Sequence, residues 1–202
     1  MLALREINSG YTHAENLHVF IEEVLKEAGL AFKDISAVAV SKGPGSYTGL
    51  RIGVSAAKGL CYALGIPLIS VDTLEAMASQ AIARFDQDMF YCPMLDARRM
   101  EVYCAVYGKD LRVITPVNAL VLDENSIAAF SLPKPVCFFG EGMPKARTLL
   151  EKIPGAVFLE NVSPAAPALG PRAAQKLASK SFEDLALFEP FYLKEFFLKH
   201  KG

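Results

Sequence analysis

Neither sign of charge dominates this sequence: 21 lysines and arginines stand against 22 aspartates and glutamates, a formal net charge of -1. A domain that binds nucleic acid unaided carries a basic surface, so RNA, if it is met, is met in company. Long apolar runs are also missing. No stretch approaches the roughly 18 residues of a membrane span, and the opening segment, MLALREIN, lacks the basic region and apolar core of a signal peptide. A chain without membrane contact is expected. Cysteine is scarce: Cys61, Cys92, Cys104 and Cys137 sit singly inside apolar runs. That spacing excludes a paired metal-ligand motif and reads as reduced, buried thiols of a cytoplasmic protein. Histidine is scarcer still. His13 and His18 diverge by about 140° on a helix, His200 lies in the tail, and no HExxH is present, so no metal is expected.

What is present is an ordinary globular composition, 52% hydrophobic and 21% charged, with 14 glycines and 12 prolines dispersed along the chain. Leu2 to Ile7 reads as a short strand. Thr12 and Glu15 form a capping box for a helix that Gly29 ends. Ile35 to Val40 is a strand, Lys42 to Gly49 a glycine-rich turn, and Leu50 to Leu64 a helix closed by Gly65. Ile66 to Val71 is another strand, and Asp72 with Glu75 caps the helix after it. The pattern changes near Asp86 to Asp88, which predicts lobes of 1–87 and 88–202. The second lobe begins with a hairpin around Ala97 and Arg98 and a third strand. A helix near Ser126, strands at Val136 to Phe139 and at Val157, and helices over Lys145 to Lys152 and Arg172 to Ser179 follow. The class is α/β.

The loop Gly43-Pro44-Gly45-Ser46-Tyr47-Thr48-Gly49 fails three familiar templates. Its third glycine is one residue late for a dinucleotide fingerprint. No GlyLys pair completes a P-loop, and Pro44 and Thr48 stand where a nucleophile elbow needs glycines. Two readings remain open: an anion held on the backbone N–H groups of Gly43, Gly45, Ser46 and Thr48, or a tight turn whose Ser46 or Thr48 caps the helix. The segment Asp96 to Tyr103 packs charges into a hairpin tip, either a site or a solvated turn. The second helix has two apolar faces. Leu50, Val54, Ala57, Cys61 and Leu64 make a bulky one, and Gly49, Gly53, Ala56, Leu60 and Ala63 a smoother one. The smooth row lies either under the chain's own first helix or against another protein.

GPGSYTGLRIG, then SAAKGLCYALGIPLISVDTLEAMA, DARRMEVY, GEG and PFYLK, in that order over nearly the whole chain, resemble the TsaB (YeaZ) family of accessory subunits of bacterial tRNA threonylcarbamoyladenosine synthesis. The resemblance implies a two-lobed actin/sugar-kinase/Hsp70-like (ASKHA) fold with duplicated lobes. It implies a non-catalytic scaffold that pairs with the catalytic homologue TsaD, is joined by the ATPase TsaE, and meets tRNA only through the complex; in isolation a homodimer is expected. The partner interface would be His13 and Leu17 of the first helix with Gly49, Gly53, Ala56, Leu60 and Ala63. No cofactor would be tightly bound, the interface with TsaD being where ATP or ADP could sit. TsaD-like relatives carry a metal-binding HxEGH segment where this chain has Thr73-Leu74-Glu75-Ala76-Met77, so neither metal nor catalytic role carries over. Tyr47 replaces a usual Phe and Lys194 a common Arg. Family members have about thirty more residues before the helix at His13, so the chain is expected to lack two strands, by truncation or a misassigned start. The competing readings are an ATP-binding ATPase or phosphotransferase of the same fold, and a glycoprotease-like peptidase.

Overall fold

The computed structural model describes residues 1–7 and 13–194, with the side chains of 13–15 set aside. The chain divides into two compact units: residues 1–71 with 165–202, and residues 72–164. This division differs from a single cut at 87/88. The chain crosses to the second unit earlier, and its C-terminal portion returns to the first.

In the first unit, α1 (His13–Ala28) is followed by β1 (Val38–Gly43), α2 (Tyr47–Leu64) and β2 (Leu68–Asp72), and α5 (Ala166–Ala178) completes it. β1 and β2 form a two-stranded sheet. α1 ends where the sequence placed its stop: Gly29 has φ +69, the left-handed conformation that glycine adopts without strain. Gly65, at φ 64, closes α2 in the same way. Leu2 to Ile7 does not form the expected strand. Alternating side chains make a strand only where another strand offers its open edge. Here Arg5 instead pairs with Glu23 and Glu27 of α1, at 2.9 and 2.6 Å. The Thr12–Glu15 capping box lies outside the described residues.

Of the bulky face of α2, Val54, Ala57 and Cys61 are buried and Leu50 and Leu64 half-buried, Ala57 and Cys61 packing with Leu68 of β2 and with Val38, Val40, Leu185 and Phe188. The C-terminal segment is stitched to the same unit. Glu183 N–H donates to the Leu68 carbonyl at 2.9 Å, the Ser70 hydroxyl donates to the Glu183 carboxylate, and Phe191 N–H donates to the Lys42 carbonyl at 2.7 Å. α5 starts six residues earlier than the sequence suggested. Pro167 sits in its first turn, where no partner for an N–H is lost, and Pro171 is tolerated inside it.

The second unit holds α3 (Thr73–Arg84), β3 (Phe90–Asp96), β4 (Glu101–Tyr107), β5 (Val113–Val121), β6 (Val136–Phe139), α4 (Met143–Leu150) and β7 (Val157–Leu159). Its sheet runs β5-β4-β3-β6-β7, antiparallel across β5-β4-β3 and parallel across β3-β6-β7. Strand alternation sends Cys92, Met94, Cys104 and Phe138 to one face, under Met143, Ala146 and Leu150 of α4. Tyr91, Tyr107, Cys137 and Phe139 go to the other, under Leu74, Met77, Ala78 and Ala81 of α3. Asp72 caps α3 as expected, its carboxylate accepting from Leu74 N–H at 2.9 Å and Glu75 N–H at 3.2 Å. All four cysteines are buried as free thiols.

Candidate functional site

α2 turns its second face away from the sheet, and α1 lies alongside. Between them runs an apolar groove. At one end Leu17 and Phe20 of α1 face Gly49, Ile52 and Gly53 of α2, with Arg5 and Ile7 at the margin. Further along, Ile52, Ala56, Gly59 and Leu60 line it with His18. Thus Leu17, Gly49, Gly53, Ala56 and Leu60 come together as the sequence grouped them. Ala63 is exposed beyond the groove, and the side chain of His13 lies outside the described residues. The first helix covers the smooth row only in part: Gly49, Gly53, Ala56 and Leu60 are half-buried and Ala63 is exposed.

The glycines of this row differ in kind. A methyl group added at Gly53 would meet Val40 Cγ2 of β1 at 3.8 Å, an ordinary van der Waals contact, so Gly53 lies beside β1 as well as in the groove. One added at Gly59 would meet nothing within 4 Å. Ile52, Gly59 and His18 were missed from sequence. Ile52, Ala56, Gly59 and Ala63 repeat at four, three and four residues, the helical stripe that would have revealed two of them.

The glycine-rich loop is built as a cap and a packing turn. Ser46 is the N-cap of α2, and its hydroxyl oxygen accepts from Gly49 N–H at 3.3 Å. Gly43, at φ +112, has the Phe191 carbonyl oxygen 2.6 Å from where a Cβ would stand. The Tyr47 ring meets Tyr192 with centroids 4.8 Å apart, and the Arg51 guanidinium lies 5.5 Å from the Tyr47 ring centre. A carbonyl oxygen against Gly43 repels an anion, and the Ser46 oxygen is occupied as a cap. Of the two readings left open for Gly43, Gly45, Ser46 and Thr48, the geometry favours the tight turn.

Positions 73 and 77 also have plain structural uses. Thr73 and Met77 are 6% and 0% exposed, and Met77 packs in the core against the Gly140 turn. A hydroxyl and a thioether one turn apart are not the donor set of a zinc or iron site. Among the described residues no cluster of three histidine, cysteine or carboxylate side chains could hold a metal ion. No described helix is long and apolar enough to cross a membrane.

The family model described as TsaD, tRNA N6-adenosine threonylcarbamoyltransferase, matches residues 8–195. The tRNA threonylcarbamoyladenosine biosynthesis protein TsaB of Bacillus subtilis (strain 168) is 35% identical over 139 residues, 67% of this chain and 59% of that protein. The TsaB of Escherichia coli (strain K12) is 38% identical over 98 residues, 48% of this chain and 42% of its own length. The chain thus spans roughly half the length of the curated relatives it matches. Among solved structures, YeaZ from Pseudomonas aeruginosa superposes with a TM-score of 0.76 at 25% identity, covering 92% of this chain and 87% of that one. A second Pseudomonas aeruginosa protein, described as similar to peptidase YEAZ, gives 0.76 at 26% identity over 90% and 84%. The α/β ASKHA-like fold class stands on these matches.

Proposed function

We propose, for a chain that belongs to the tRNA N6-adenosine threonylcarbamoyltransferase family and to its TsaB (YeaZ) members, that it serves tRNA threonylcarbamoyladenosine biosynthesis as a non-catalytic docking subunit. Its partner is the TsaD-type catalytic homologue, and a TsaE-type ATPase joins the pair. The α1–α2 groove carries this reading. An amphipathic surface helix has one face to bury, whereas α2 buries Val54, Ala57 and Cys61 and still presents Ile52, Ala56 and Leu60 beside an open glycine. A partner helix can approach closely over Gly59 and cover both ends of the groove. Without the catalytic homologue, a second copy would occupy the same surface in a two-fold pair. Either interface would bury on the order of 1,600 Å² in total. ATP or ADP, where used, belongs to the interface with the partner, and tRNA is met inside the assembled complex, in a cytoplasmic setting.

Reconstitution tests this reading. TsaD and TsaE, supplied with the threonylcarbamoyl adenylate by TsaC, the enzyme that makes it, should modify unmodified tRNA to threonylcarbamoyladenosine only when this chain is added. Gly59→Arg, at an exposed position where an added Cβ would meet nothing within 4 Å, should keep the wild-type circular dichroism spectrum and melting temperature yet lose co-sedimentation with TsaD. Full modification without the chain would refute the docking role. Tight binding of ATP with Mg²⁺, or peptide cleavage, by the chain alone would turn the reading to a phosphotransferase or a peptidase.

A further inference from the structure

We infer that the tip of the β3–β4 hairpin, Arg98 and Arg99, is this chain's own contact with the phosphodiester backbone of tRNA inside the complex. The inference rests on the proposed role. The backbone supplies the first observation. Arg98 and Arg99 have φ of 66 and 46, two successive left-handed residues, neither a glycine. Hairpin turns that need this conformation usually place asparagine and glycine there, because a Cβ is strained in it. Arginine at both positions keeps two long cationic side chains at the cost of strain.

The second observation is how firmly the tip is held from below. Arg98 N–H donates to the Asp96 carboxylate at 2.7 Å, Ala97 N–H to the Glu101 carbonyl at 3.0 Å, and Glu101 N–H to the Arg98 carbonyl at 3.2 Å. The Lys145 ammonium of α4 reaches up to the same carboxylate, to the Arg99 carbonyl at 2.8 Å and to the Glu101 carbonyl at 2.6 Å. Lys145 therefore binds the turn's oxygens, and the Asp96 carboxylate is committed to Lys145 and to a backbone N–H. Bonded by Lys145, Asp96 is held below the usual carboxylate range.

The third observation is the guanidiniums themselves. Both arginines are exposed, and neither side chain has a hydrogen-bond or ion-pair partner among the described residues. Arg5 and Arg147, by contrast, are each tied to two glutamates, and Arg84 to two carbonyls. A planar guanidinium matches a phosphate with two parallel hydrogen bonds. Protein docking surfaces place apolar side chains at the centre and charge at the rim. Here charge is the centre, with exposed Met100 next to it in sequence. Two fixed charges on a nearly neutral chain cannot hold RNA unaided, which suits a contact made only in a larger assembly.

The test compares R98G/R99G and R98K/R99K with wild type in the reconstituted complex, using unmodified transcribed tRNA as the probe. Glycine suits both φ values, so R98G/R99G should melt no lower than wild type and pair with TsaD as tightly. Its association with tRNA should show a slope of log K against log salt smaller by roughly 1.5, the share of two phosphate contacts. KM for tRNA should rise several-fold, and R98K/R99K should restore the slope. An unchanged slope and KM for R98G/R99G would overturn the inference. So would loss of pairing with TsaD, which would make the tip a protein contact. If wild type itself fails to support modification, it is the docking role that falls.

Discussion

Lys58 of α2 gives its ammonium to the carbonyl of Phe188, 3.0 Å away, and to that of Ala186 at 3.2 Å. One side chain thereby fixes a segment that lies 128 to 130 residues further along. Leu185 and Phe188 of that segment cover Ala57 and Cys61, so the two carbonyls are held where the apolar contacts need them.

Lys58→Met should therefore loosen the C-terminal segment out of proportion to its local change. Losing charge-assisted bonds to two carbonyls costs about 1–3 kcal/mol. Urea unfolding should report that loss, and limited proteolysis should cut within 183–194 sooner than in wild type. Equal protection of that segment in the two proteins would contradict the account.

Two glycines should respond to alanine with opposite signs. At Gly59 nothing lies within 4 Å of the added methyl, and the exchange in a helix interior should stabilise by about 1 kcal/mol. At Gly43 the methyl would stand 2.6 Å from the Phe191 carbonyl oxygen, at φ +112, so a loss of about 2 kcal/mol or more is expected. Thermal denaturation of the two single variants checks both signs.

The buried thiols set a limit on the alkaline side. Burial pushes the Cys137 thiol up to about 11, and burial beside Cys104 raises Cys92 as well. An unfolded thiol ionises near 8.5. Since the folded value is the higher one, the stabilisation is full below about pH 8.5 and is lost progressively as pH rises toward 11. Denaturant midpoints measured across that range should fall. At pH 8 all four cysteines should resist iodoacetamide until the protein is unfolded; rapid alkylation of one thiol in native buffer would speak against the packing described.

Local signals carried most of the element order. The Asp72 cap, Gly29 and Gly65 as helix stops, and the short apolar run Val136 to Phe139 each act through neighbours in sequence, and each was legible. Leu2 to Ile7 misled because a strand needs a partner edge that its own residues do not encode. The smooth row on α2 was legible as a pattern, but its relation to α1 depends on tertiary packing, so Ile52, Gly59 and His18 emerged only with the groove. The left-handed Arg98 and Arg99 had no local signal, because arginine is not a residue that announces positive φ. The unit division was hidden for a similar reason: nothing near Ala165 says that the following helix belongs with β1.

Because residues 72–164 are nested within the other unit, the order of completion on the ribosome differs from the order of synthesis. The inner unit owns every strand of its sheet and can close both core layers as it emerges. The outer unit has α2 early but receives the Phe188 carbonyl and ring only 130 residues after Lys58. At about 5–20 residues per second, that interval is on the order of ten seconds. Throughout it, Ala57 and Cys61 have Val38, Val40 and Leu68 beside them but lack Leu185 and Phe188, so the nascent outer unit keeps apolar surface open longer than the inner one.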